Sequence, residues 1–147
     1  MYKKIYFDFP DEDCYKNFLF HLRWKGKATC PFCGSIKSTR RGSTFRFHCN
    51  TCNTNYSLTT RTVMHDTKVE LRKWLLALNL YLNDKKLSYR NLSKEININK
   101  NTAYRIINEL QLLFSKNRLL ILKISGLKKN DLEIMSLMLL IDKKGRR

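Results

Sequence analysis

The spacing of apolar residues along this chain changes several times, and each change marks an element. In DFPDEDCYKNFLFHLRW, residues 8–24, Cys14, Phe18 and Leu22 recur at every fourth position with Tyr15 and Leu19 beside them, the spacing of a helix. Pro10 and the acids Asp11, Glu12 and Asp13 stand where that helix begins, since proline fits a first turn and carboxylates complement its unpaired N–H groups. On this stripe Cys14 reads as a small buried hydrophobe. The period then falls to two. Residues 44–49 alternate, with Phe45 and Phe47 on one face, and Gly42-Ser43 marks a turn. Residues 37–41 and 44–49 are predicted to pair as a hairpin, with residues 55–58 as a third strand.

Helical spacing returns with Leu71, Trp74, Leu75, Leu78 and Leu82, which predict a long helix over residues 69–83. Two shorter helices follow. Ser88 can cap the first, which carries Leu92 and Ile96. Asn97 suits a left-handed turn residue, and Asn99 can cap the second, whose buried face is Ala103, Ile106, Ile107 and Leu110. Short helix, tight turn and second helix form a helix-turn-helix pattern, which an ordinary helical hairpin with a wet polar face shares. Residues 115–147 mix the apolar runs LLILKI and IMSLMLLI with lysine-rich patches around a turn at Gly126, and predict no particular fold. The closing KKGRR reads as a solvated basic tail. The expected class is α+β, mostly α: a helical lead-in over 1–28, a small β ribbon over 29–66, a helix-turn-helix domain over 67–114, and an incomplete C-terminal segment over 115–147.

Charge adds the first functional constraint. The 147 residues carry 29 Lys and Arg against 12 Asp and Glu, a net charge of +17. Basic residues outnumber acidic ones in every segment, so no single tail accounts for the excess. Such a surface favours a polyanion, most simply nucleic acid, although an AT-rich genome would also enrich lysine. The N-terminus lacks the apolar core of a signal peptide, and the most apolar stretch, residues 134–141, is too short to span a bilayer. The expected setting is the cytoplasm, associated with the nucleoid and with no membrane partner. Thiols stay reduced there, so paired cysteines read as metal ligands before disulfides.

Cys30, Cys33, Cys49 and Cys52 form two C-x-x-C pairs separated by fifteen residues. Each pair can supply two vertices of a tetrahedron from one turn of backbone. Four thiolates leave no open position for water, so the metal, one Zn2+, should be structural. A ribbon this small also needs such a staple. A rubredoxin-like iron site and a pair of redox dithiols are the competing readings. The latter expects a C-x-x-C at the start of a helix beside a sheet. Lys37, Arg40 and Arg41 could offset the negative charge of the thiolates. His48 and His65 read as polar surface residues. In the second helix of the helix-turn-helix, Lys100, Asn101, Thr102, Tyr104, Arg105 and Asn108 are left to face DNA. Arginine can fork onto guanine and asparagine can pair with adenine. Lys85, Lys86, Tyr89 and Arg90 would flank the phosphate backbone, with Arg40 and Arg41 as further DNA contacts from the ribbon.

Read together, residues 9–114 resemble the N-terminal region of bacterial insertion-sequence transposases of the DDE type, the ISXO-two-like class. The resemblance rests on FPDED, LRW at 22–24, CPFCGS, FRFHCNTC, NYSLTTRTVMHDTK, LRKWLLAL and TAYRIINEL, in that order. It implies a zinc ribbon and helix-turn-helix that bind the element's terminal inverted repeats in double-stranded DNA. It also implies a following RNase H-like domain that cuts DNA with divalent metal. Cys30, Cys33, Cys49 and Cys52 take the zinc-ligand role.

The sequence departs from the family after Phe114. Thirty-three residues remain, without the family's DE pair, and Asp131, Glu133 and Asp142 are their only acids. A catalytic domain needs ~100 residues or more. The expectation is therefore a truncated or decayed transposase that binds DNA without being an enzyme, in company with a second copy or a full-length transposase. A free-standing transcription regulator, an active transposase completed by another chain, and an RNA-associated ribbon protein are the rival expectations.

Overall fold

The computed structural model describes residues 2–84 and 86–143. The chain starts with α1 (Tyr2–Asp8), a helix for which the apolar pattern gives no signal. It buries Ile5, and Phe9 just beyond it donates its N–H to Ile5 O at 2.9 Å. α2 (Glu12–Trp24) begins where the acids place it. Asp11 caps it by accepting from the Cys14 N–H at 2.7 Å, and that backbone bond holds the Asp11 carboxyl below its ordinary range. The helix closes at Lys25, whose left-handed backbone (φ 52°) lets its N–H donate to His21 O.

α2 buries Tyr15, Leu19 and Phe20, while Cys14 is exposed, contrary to its expected place in the core. Each residue turns a helix by about 100°. The face that meets the neighbouring helices is centred on the 15–19 row, one step from the 14–18–22 row. Phe18 and Leu22 are accordingly only half-buried.

The ribbon follows as an antiparallel sheet of β1 (Ser38–Arg40), β2 (Arg46–Cys49) and β3 (Asn55–Ser57), in that order. The register sets Thr39 opposite His48 and Phe47 opposite Tyr56. Gly42, at φ 60°, turns the hairpin where the sequence places it.

α3 (Leu71–Asn83) buries Leu71, Trp74, Leu75, Leu76, Ala77 and Leu78. Leu82, expected on the same stripe, lies near the C-terminal end of α3 beyond its packed middle and is exposed. α4 (Tyr89–Ile96) is capped by Ser88, which accepts from the Asn91 N–H, and ends at left-handed Asn97 (φ 55°). Asn99 then caps α5 (Lys100–Lys116) by accepting from the Thr102 N–H. Leu92 and Ile96 of α4 and Ala103, Ile106, Ile107 and Leu110 of α5 are all buried, as their spacing predicts.

Residues 115–143 contain more order than the sequence pattern conveys. α6 (Arg118–Ser125) is followed by α7 (Asp131–Leu139), which Asn130 caps through the Glu133 N–H. α7 buries Leu132, Met135, Ser136, Met138 and Leu139 and packs on α2 and α3. The hydroxyls of Tyr15 and Ser136 meet at 2.8 Å in this core. Burial pushes the Tyr15 phenol well above its ordinary range, so it remains a neutral hydrogen-bonding group.

The start of KKGRR is also not a free tail. The Lys143 N–H donates to Arg61 O at 2.8 Å, and its ammonium pairs with Glu109 of α5. Lys144, Gly145, Arg146 and Arg147 lie outside the described residues. α3 is the hub of the helices, touching α1, α2, α4, α5 and α7. Buried side chains from Ile5 to Ile141 form one hydrophobic cluster that includes ribbon residues Phe47 and Tyr56. No described helix is long and apolar enough to cross a membrane.

Candidate metal centre and nucleic-acid face

The two cysteine pairs fold into matching knuckles. In the first, the Cys30 N–H donates to Ser35 O at 2.9 Å and the Gly34 N–H donates to Cys30 O at 2.8 Å. In the second, the Cys49 N–H donates to Thr54 O and the Asn53 N–H to Cys49 O, each at 2.9 Å. Gly34 (φ 79°) and Asn53 (φ 59°) are both left-handed, which tightens each loop so that its two sulfurs point the same way. All four Sγ atoms lie within 4.8 Å of one another. The closest pairs cross between the knuckles, Cys30 with Cys52 at 3.7 Å and Cys33 with Cys49 at 3.5 Å.

Zinc–sulfur bonds of ~2.3 Å at tetrahedral angles set sulfurs ~3.8 Å apart, close to these separations. A disulfide requires ~2.05 Å. The cluster therefore fits one structural Zn2+ held by Cys30, Cys33, Cys49 and Cys52. Without metal the thiols of Cys52 and Cys33 are shifted in opposite directions. The Thr54 hydroxyl, 3.3 Å from Cys52 Sγ, is the main reason that thiol is pulled down to about 6. Cys33 is pushed up to about 12: a backbone hydrogen bond at Ser35 lowers it, but burial and its sulfur neighbours together outweigh that.

Aromatic contacts fasten the metal-bearing ribbon to α2. Phe20 stacks on Phe47 at 5.9 Å and meets Phe45 at 6.3 Å, while Trp24 stands edge-on to Phe47 and Tyr56. Arg23 forks onto Leu58 O at 2.7 Å and Thr60 O at 2.8 Å, and burial lowers its guanidinium to about 10. Arg61 donates to Pro31 O inside the first knuckle. Its Nε also lies 3.1 Å from Asp142 Oδ1, a charge contact in which neither atom completes a hydrogen bond.

On the other side of α2, Glu12 reaches across to α3. Its carboxylate accepts from the Leu71 N–H at 2.6 Å and is 3.8 Å from Arg72, which itself donates to Phe9 O. Thr67 Oγ1 accepts from Trp74 Nε1 at 2.9 Å. Sequence reasoning assigns no role to Arg23, Arg61, Thr67 or Arg72, and places Glu12 only at the start of its own helix. Their signal is present all the same, because FPDED, LRW, HDTK and RKW each contain one of these clamps.

The residues singled out for DNA occupy two regions. Lys100, Asn101, Tyr104 and Arg105 are exposed along the first turns of α5, whereas Thr102 and Asn108 are half-buried. Tyr89, at the start of α4, stands edge-on to Tyr104 with ring centres 5.6 Å apart, and Arg90 lies 5.7 Å from the Tyr89 ring. Lys86 is exposed just before α4, and Lys85 lies outside the described residues. Arg40 and Arg41 belong to the ribbon hairpin instead. Arg40 lies over Phe45 at 4.6 Å and donates to Thr44 O, while Arg41 donates to Asn55 Oδ1. His48 also meets Asn55 Oδ1, at 2.8 Å, and exposed His65 pairs with Asp66.

Residues 10–55 match the family model for the transposase zinc-ribbon domain. Over 92 residues the chain is 36% identical to the "Uncharacterized protein in transposable element ISH50" of Halobacterium salinarum. That alignment covers 60% of this chain and 31% of the relative, so the chain spans about a third of that protein's length. No solved structure matches.

Proposed function

We propose, from the premise that residues 10–55 are a transposase zinc-ribbon domain, that this chain binds double-stranded DNA at the ends of an insertion element. The observation that carries this reading is the outward face of α5. Lys100, Asn101, Tyr104 and Arg105 follow a capped left-handed turn and stay free of the core that Ala103, Ile106 and Ile107 enter. Residues at the start of the second helix of a helix-turn-helix lie over base edges in the major groove, while the preceding helix crosses the backbone. Arg105 and Asn101 then act on bases, and Lys86, Arg90 and Lys100 act on phosphates. The zinc holds the ribbon in shape, with Arg40 and Arg41 as additional backbone contacts.

In this reading the described residues recognise DNA. Two of the chain's C-terminal acids have structural partners: Glu133 is held by Asn130 and Lys129, and Asp142 faces Arg61. The partners are the terminal inverted repeats, a second copy, or a longer transposase acting on the same ends, in the cytoplasm beside the nucleoid. The test is fluorescence anisotropy of the zinc-loaded chain on the inverted repeats that flank its gene, as duplex, as single strands and as RNA. Tightest binding to the duplex, falling with salt by ~0.9 log units per phosphate contact per log unit, is expected. Equal or tighter binding to RNA or single strands contradicts the reading.

A further inference from the structure

α6 is apolar on both sides. Ile121 and Ile124 are buried beneath it, yet Leu119 and Leu122 on its outer side are 78% and 68% exposed. Among the described residues, five of the ten exposed large hydrophobic side chains fall between residues 112 and 127: these two, with Leu112, Leu120 and Leu127. Clustered exposed apolar side chains mark interaction surfaces.

The charges in the same stretch narrow the choice of cover. Lys116, Arg118, Lys123 and Lys128 are exposed among the leucines, and the chain has no acidic residue between Glu109 and Asp131. A second copy would set these cations against their own kind. A nucleic-acid backbone would meet the cations but leave the leucines wet. A surface that complements both features carries apolar anchors flanked by carboxylates.

We propose that α6 docks an acidic amphipathic helix of a partner protein. The partner's apolar residues, three and four apart, lie on Leu119 and Leu122, and its Asp and Glu side chains meet Arg118 and Lys123. Leu119 and Leu122 follow the C-terminal end of α5, whereas the residues assigned to DNA stand in its first turns.

The test uses the zinc-loaded full chain and two synthetic helical peptides of about three heptads with identical leucine positions. One peptide carries Glu at every flanking position, the other Lys. Fluorescence anisotropy is expected to show binding of the Glu peptide, weakening with added salt, and binding of the Lys peptide about tenfold weaker or less. The double variant Leu119→Ser, Leu122→Ser changes only exposed side chains and leaves the net charge at +17. It is expected to keep its melting temperature and its DNA binding, and to lose about tenfold or more in affinity for the Glu peptide.

Four results would overturn the proposal. One is that the double variant binds the Glu peptide as the parent does, because general attraction to a basic protein would then suffice. A second is that the two peptides bind equally well, or that neither binds. A third is sedimentation showing a parent dimer that the double variant dissociates, which makes a second copy the cover. The last is capture of the parent, but not of the double variant, by phosphatidylserine vesicles without peptide binding, which makes a lipid surface the cover.

Discussion

Gly34 and Asn53 occupy equivalent points of the two knuckles, each left-handed and each donating its N–H to the carbonyl of the first cysteine of its pair. No atom lies within 4 Å of the position a Gly34 side chain would take, so any cost of adding one comes from the backbone alone. Gly34→Ala is therefore expected to destabilise the zinc-loaded protein by ~1–2 kcal/mol, the penalty of a left-handed residue bearing a Cβ. Asn53→Gly is expected to be neutral within about 0.5 kcal/mol, since asparagine and glycine both tolerate this conformation. Urea unfolding of both variants checks this. An unchanged Gly34→Ala midpoint would show that the knuckle does not need its left-handed turn.

Metal removal should separate the two tryptophans. Trp24 lies against Phe47 and Tyr56 of the ribbon, whereas Trp74 is held by Thr67 within the helical core. A chelator is expected to red-shift the emission of Trp24 in a Trp74→Phe protein and to leave Trp74 nearly unmoved in a Trp24→Phe protein. Most of the helical circular dichroism should remain. Equal red shifts in both proteins would mean that the helices depend on the metal as much as the ribbon does.

Zinc affinity should rise with pH. In the metal-free fold Cys33 is pushed up to about 12, so it is protonated throughout the neutral range, and zinc must displace that proton. Lowering the pH from 8 to 6 is expected to weaken binding by about tenfold per pH unit for each proton released. Competition against a chromophoric chelator with its own pH dependence corrected gives the slope. A flat profile would contradict a site built from four thiolates.

The contact between Glu12 and the start of α3 is the only side-chain cap that the described residues give that helix. Glu12→Ala is expected to cost ~1–2 kcal/mol, from the lost N-terminal cap and its charge. Combining it with Arg72→Ala should produce less than the sum of the single losses, because the two side chains share one network. Urea titration of the four proteins measures the coupling. Strict additivity would separate Glu12 from Arg72.

Features set by neighbours in the chain were legible in the sequence. The caps Ser88 and Asn99, the left-handed Asn97, the hairpin at Gly42 and the four zinc ligands each depend on a few consecutive residues, and each is found in place. What stayed hidden depends on distant partners. Nothing in residues 14–22 reveals that α2 turns its 15–19 row inward, because α3 and α7 select that face. Lys143 reads as tail until Glu109 and Arg61 are seen beside it. α7 looked like an apolar remnant because the α2–α3 surface that buries it lies far away in sequence. The FPDED, LRW and RKW blocks were visible as words, but their roles as cross-chain clamps required the fold.

Binding of duplex DNA by Arg105→Ala and Lys86→Ala, against the sequence that the parent selects from a random library, tests the central claim most directly. Arg105→Ala is expected to lose ~1–3 kcal/mol of discrimination at a single base position while nearly keeping its salt dependence. Lys86→Ala is expected to weaken every duplex alike and to reduce the salt slope by about one. If Arg105→Ala changes neither affinity nor preference, α5 is not the helix that reads the DNA.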